Sequence, residues 1–215
     1  MADIYITEQT APTTPSNGAG VIWVDSTAPV LSFKDDAGRV HGRSTNASIA
    51  AQGPGFAADT WVTDSDILIP SYGPQVRTCI TYRISASKTG AGTAAPIYTV
   101  RVGSGRSTSD SAKLTLTGPS QTAIADIGTL VIMLVFRTVG GSGVLQGSAW
   151  WGHRGTAAST TVSGTGFAND VTGHVEGTSG AIDTTAFPGL YLSLSINGGT
   201  SASWTITQVQ AEADW

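Results

Sequence analysis

The side chains able to do chemistry are few in this chain and far apart in it. Its three histidines are His41, His153 and His174, and Cys79 is its single cysteine. A hydrolase or metalloenzyme needs a nucleophile, base and orienter, or several metal ligands, at a characteristic spacing. No H-E-x-x-H, G-x-S-x-G or cysteine pair occurs. His174-Val175-Glu176 has the two-residue spacing that puts both side chains on one face of a strand, a ligand-compatible arrangement. The loop-rich sequence around it points instead to surface polar residues. The residues therefore assign no catalytic group, no cofactor and no intrachain disulfide.

Three carboxylates, Asp59, Asp64 and Asp66, surround Trp61 in Thr60-Trp-Val-Thr-Asp-Ser-Asp66, and three nearby carboxylates could hold Ca²⁺. The EF-hand spacing and its terminal glutamate are missing, and turn-forming aspartates account for the stretch equally well. Gly103-Ser-Gly105 and Val139-Gly-Gly-Ser-Gly143 lack the lysine and following helix of a phosphate cradle and read as hairpin tips. Trp150-Trp-Gly-His-Arg154 is the most suggestive surface group. Neighbouring strand residues point oppositely, so if Trp151 turns inward with Leu145 and Ala149, Trp150 faces out with Gln146, Ser148 and Arg154. An exposed indole beside polar groups could stack on a sugar or meet a protein. The competing reading packs both indoles, one in the core and one between subunits.

The elements that must position these residues are strands. Charged residues make up 12% of the 215, about half the usual share, so long salt-bridged helices are disfavoured. A net charge of -4, with eleven scattered cations, argues against a nucleic-acid surface. Thr129-Leu-Val-Ile-Met-Leu-Val-Phe-Arg137 is the most apolar stretch. It is far too short to span a membrane, and its β-branched and aromatic content predicts a strand. Having no polar face, it is expected to be covered on both sides, as the central strand of a sandwich whose second face meets either the flank of the opposing sheet or another copy of the chain. In Val76–Ile84, alternation puts Val76, Thr78, Ile80, Tyr82 and Ile84 on one face. Candidates follow at 97–102, 112–117, 144–151, 191–196 and 204–209, and Gln121-Thr-Ala-Ile-Ala-Asp126 reads as a helical turn. So many short strands predict an all-β fold, an antiparallel β-sandwich that is jelly-roll-like.

Ahead of it, Val21–Asp25, Val30–Lys34 and Val40-His41, with a turn at Asp35-Asp-Ala-Gly38, read as a small β-meander. Two or three strands are marginal alone, so this unit must lean on the main domain, a neighbour or a larger surface. The resulting plan is an N-terminal arm and meander over 1–42, a linker over 43–55 around Gly53-Pro-Gly55, and the sandwich over 56–215. Met1-Ala-Asp-Ile-Tyr-Ile6 has neither a basic nor an apolar leader segment, which predicts synthesis without export.

Ala11-Pro-Thr-Thr-Pro-Ser-Asn-Gly18, leading into Gly20-Val-Ile-Trp-Val-Asp25 and then Leu31-Ser-Phe-Lys-Asp-Asp-Ala-Gly38, resembles the N-terminal meander of structural proteins in tailed-phage virions. The ending Ser203-Trp-Thr-Ile-Thr-Gln-Val209, after Thr/Ser/Gly-rich strands, is similar to jelly-roll domains of phage fibres and decoration proteins. The resemblance implies a non-enzymatic virion component made in the host cytoplasm. It implies a homotrimer attached to other virion proteins of capsid or tail by residues 1–42, with the β domain outward. On that reading Trp23 and Phe33 dock to the particle. Trp150 and Arg154 contact a host glycan or protein, and Leu130, Ile132, Leu134 and Phe136 form the oligomer core. Neither nucleic acid nor membrane insertion is implied. The alternatives are a carbohydrate-binding lectin-like module and a depolymerase or esterase, which would need paired carboxylates in a chain whose only glutamates are Glu8, Glu176 and Glu212.

Overall fold

The computed structural model describes residues 6, 8–27, 31–91, 93–118, 123, 125–155, 174–199 and 203–215, with backbone alone at 126 and 153–155. The described residues are all-β. The strands are β1 (Glu8–Gln9), β2 (Val21–Asp25), β3 (Leu31–Lys34), β4 (Val40–Ser48), β5 (Gln52–Gly55), β6 (Thr60–Trp61), β7 (Ile67–Leu68) and β8 (Cys79–Lys88). They continue with β9 (Ile97–Gly103), β10 (Ser111–Thr117), β11 (Asp126–Thr138), β12 (Val144–Gly155), β13 (Val175–Thr178), β14 (Tyr191–Asn197) and β15 (Trp204–Asp214). Ten of them form one sheet in the order β1-β2-β3-β4-β15-β8-β11-β12-β13, with β5 beside β15. The other five form β10-β9-β14-β6, with β7 beside β14.

The connectivity is that of a jelly roll. Taken in chain order, β4, β6, β8, β9, β10, β11, β14 and β15 build the facing quartets β4-β15-β8-β11 and β6-β14-β9-β10, all antiparallel. The meander extends the larger sheet beyond β4, and the β12–β13 hairpin extends it beyond β11.

Alternation along each strand fills the space between the sheets. From the large sheet come Ile80, Tyr82 and Ile84, then Leu130, Ile132, Leu134 and Phe136, then Leu145, Ala149 and Trp151. From the small sheet come Tyr98, Val100 and Val102, Leu114 and Leu116, and Leu192, Leu194 and Ile196. A fully buried aliphatic or aromatic side chain contributes about 1.5–3 kcal/mol, so this layer is the main source of stability. At the β10 and β13 edges the sheets nearly touch. A Cβ on Gly147 would lie 2.6 Å from Leu114 Cδ2, and one on Gly177 2.7 Å from Leu116 Cδ2, which explains the absence of side chains there.

Three expectations need correction. Residues 43–48 and 52–55 are no linker: β4 pairs with β15 from Ser48↔Val209 to Arg43↔Asp214, and β5 lies against the start of β15. Their small polar residues give no hydrophobic period because the backbone ladder with β15, rather than burial, holds them. Leu130–Phe136 is buried on one face only, the alternate positions being half-buried or exposed. Val76 does not join the inward row of β8. It is 53% exposed, and the following Arg77 at φ 76° turns the chain before the strand begins. Of the expected helical turn over 121–126, residues 121, 122 and 124 lie outside the described residues, and Asp126 opens β11.

Candidate interaction face

The large sheet has an inward face that makes the core and an outward face that, among the described residues, no second sheet covers. Cross-strand register fixes which side chains share the outward face. Asp214, Glu212 and Gln210 on β15 stand opposite Arg43, Thr45 and Ala47 on β4, and opposite Cys79, Thr81 and Arg83 on β8. The same row passes from β8 to Val135, Met133 and Val131 on β11, and from these to Gln146, Ser148 and Trp150 on β12. In the other direction, His41 of β4 pairs with Phe33, Phe33 with Ile22, and Leu31 with Val24.

This face carries two apolar areas separated by a ridge of charge. The first lies on the meander, where Ile22 is 57%, Leu31 62% and Phe33 41% exposed, with Phe33 stacked on His41 at 6.3 Å. The second runs along β11 as Ile127, Val131, Met133 and Val135, with Trp150 beside Val131. Between them Glu212 bridges two arginines, at 2.7 Å to Arg43 and 3.4 Å to Arg83, and Arg43 also reaches Asp214 at 3.8 Å. Hydrogen bonding and charge from Glu212 hold the Arg43 guanidinium above its ordinary pKa.

The other face of the meander is pinned to the chain's own sandwich. Trp23 is fully buried and meets Tyr72 edge to face. Asp25, also buried, accepts hydrogen bonds from the Ser71 hydroxyl, the Ser71 N–H and the Thr27 N–H. The Ser32 and Tyr72 hydroxyls lie 3.3 Å apart. The arm before β2 folds back as well: Lys34 Nζ donates to the Pro12 carbonyl at 2.8 Å and the Gly18 N–H to Asp36 at 2.6 Å. The meander therefore leans on its own domain.

The predicted site residues divide accordingly. Phe33 is exposed on the outward face, whereas Trp23 is enclosed by its own chain and cannot present itself to a particle. Leu130, Ile132, Leu134 and Phe136 are at most 1% exposed and face the intrachain core, so they cannot form an oligomer core. The register is shifted by one: the outward residues are Val131, Met133 and Val135. Trp151 turns inward and packs on Trp204 at 5.2 Å, leaving Trp150 half-buried on the outward side. Arg154 pairs with Ile127 through its backbone, and its side chain lies outside the described residues.

Each of two carboxylates near Trp61 is paired with an arginine. Asp59 pairs with Arg101, which also donates to Ser195 Oγ at 2.8 Å and to the Asp110 carbonyl at 2.7 Å. Asp66 pairs with Arg106 at 3.4 Å, and that guanidinium sits 5.2 Å from the Tyr191 ring centre. Among the described residues no three His, Cys, Asp or Glu side chains are grouped to hold a metal ion, and no helix is long and apolar enough to cross a membrane. His174 lies 3.5 Å from Glu176 at the surface.

Sequence reading missed Ile22, Leu31 and the outward residues of β11. For the meander the signal was present, since Ile22 and Trp23 are adjacent in a strand and one of them had to face away from the other.

No protein-family profile and no curated protein matches the chain. Among solved structures it is similar to lectin I from Ulex europaeus in complex with the methyl glycoside of alpha-L-fucose, at 12% identity and a TM-score of 0.30, over 91% of this chain and 90% of that one. A likeness of that degree carries no argument about ligand, and the sandwich rests on its own strand pairing.

Proposed function

We propose that this chain is a non-enzymatic structural protein of a phage particle, a fibre or decoration subunit held to capsid or tail by its N-terminal part. The sandwich is displayed outward, where it braces the shell or meets the host, and the working state is a homotrimer. One observation carries this reading. The meander is fixed to its own sandwich through Trp23 and Asp25 while turning Ile22, Leu31 and Phe33 to solvent. A contiguous exposed apolar patch on a rigid element marks a protein contact, because leaving it in water forfeits the stabilisation its burial would give.

The experiment is mass spectrometry and immunogold microscopy of density-purified particles from lysates containing the protein. The protein co-purifies at a fixed stoichiometry and labels one structure. Its recovery only in the soluble fraction would reject the assignment.

A further inference from the structure

We infer that the outward face of β15, β8, β11 and β12 is where copies of this chain meet, with Val131, Met133 and Val135 at its centre. The inference deepens the proposed function by naming the partner of the β11 area, and it concerns a different surface from the meander patch.

The face has the size of an interface. All four strands are at least ten residues long. At about 3.4 Å per residue and about 4.8 Å between strands they present a face of roughly 34 by 19 Å. That is on the order of 650 Å² per copy and 1,300 Å² per pair, within the range of about 1,200–2,000 Å² that specific interfaces bury.

The residues are also laid out as in an interface. The apolar row is central: Met133 stands between Thr81 and Ser148, Val135 between Cys79 and Gln146, and Val131 between Arg83 and Trp150. Ile127 is 57% and Met133 38% exposed. An apolar centre with a polar rim is the anatomy of a protein interface.

Charge selects the occupant. The ridge beside the row holds two cations, Arg43 and Arg83, and two anions, Glu212 and Asp214. A ridge on which Glu212 sits between Arg43 and Arg83 offers a polyanion or an anionic membrane no unbroken run of positive charge. It complements another surface that also carries both signs, and an identical copy presents just such a ridge next to just such an apolar row. In a two-fold pair such a face meets its own copy and must be self-complementary, and in a ring of three one edge of the face meets a different edge of the next copy; mixed charge around an apolar row serves both.

Light scattering after gel filtration of the full chain tests this. Wild type should elute at a mass at least twice 21.9 kDa. Met133→Glu, which places a charge at the centre of the apolar row, should bring the mass to 21.9 kDa with the β circular-dichroism spectrum retained. Should that variant misfold, Thr81→Arg on the neighbouring strand is read in its place. Leu31→Asp on the meander should leave the multimer intact, which separates this inference from the attachment reading. A monomeric wild type, or variants with unchanged mass, would overturn the inference. So would a monomer whose tryptophan fluorescence shifts on adding glycans, since the face would then belong to a sugar through Trp150.

Discussion

Trp23 and Tyr72 meet edge to face, ring centres 6.0 Å apart at 73°, across the junction between the meander and the sandwich. Asp25 lies two residues from Trp23 and on the same face, and it closes the junction by accepting from Ser71. These contacts set which way the meander faces, and so which of its residues remain in water.

Asp25→Ala should leave the Ser71 and Thr27 donors without their acceptor and cost about 1–3 kcal/mol. The loss should be local. Hydrogen exchange should show β2 and β3 opening while β8 and β11 stay protected. Equal acceleration in all four strands would mean that the junction does not hold the meander separately.

Two glycines should respond differently to alanine. Gly53 has φ 107°, and a Cβ there would stand 2.6 Å from the carbonyl oxygen of Trp204, a backbone atom that cannot step aside. At Gly147 the obstruction is the tips of two leucine side chains, Leu114 and Leu134. Gly53→Ala should therefore lower the melting temperature by more than Gly147→Ala, whose cost of about 1 kcal/mol corresponds to about 2–4 °C for a chain of this size.

Alkaline pH should destabilise the fold. Burial pushes the Tyr72 phenol up to about 12, and Tyr82 and Tyr98, enclosed in the core, are raised too. The unfolded chain releases these protons near pH 10, before the folded chain does, so stability is full below pH 10 and falls as pH rises from 10 towards 12. Absorbance at 295 nm should show these three tyrosines ionising together with loss of the β circular-dichroism signal. Their ionisation in the folded protein near pH 10 would refute their enclosure.

Cys79 should alkylate slowly. Partial burial and the nearby Asp214 carboxylate both raise its thiol pKa. Its rate with iodoacetamide should rise about tenfold per pH unit and still be climbing at pH 9. A plateau below pH 8 would show an activated thiolate instead.

The sandwich was legible because most of its strands alternate large apolar residues with polar or small ones, even in β14, where the alternating Ser193 and Ser195 are themselves buried. In β8, Ile80, Tyr82 and Ile84 alternate with Thr81 and Arg83, and in β14, Leu192, Leu194 and Ile196 alternate with small serines, so the inward face declared itself. In β11 every position from Leu130 to Phe136 is apolar, and composition alone could not tell the core row from the outward one. Chain order could not do so either, because the deciding information is the pairing with β8 and β12. Strand β4 was hidden for the opposite reason: Ser44, Thr45, Asn46 and Ser48 bury little, and only β15, more than 150 residues later, gives them a ladder to join. The junction of Trp23 with Tyr72 is likewise a product of topology.

Reconstitution with particles depleted of this protein would read attachment through the meander. Wild type and the Leu31→Asp/Phe33→Asp double variant would each be added and sedimented. Wild type should travel with the particles, while the double variant should stay in the supernatant with an unchanged melting temperature and unchanged oligomeric mass. Equal sedimentation of the two proteins would contradict attachment by this route.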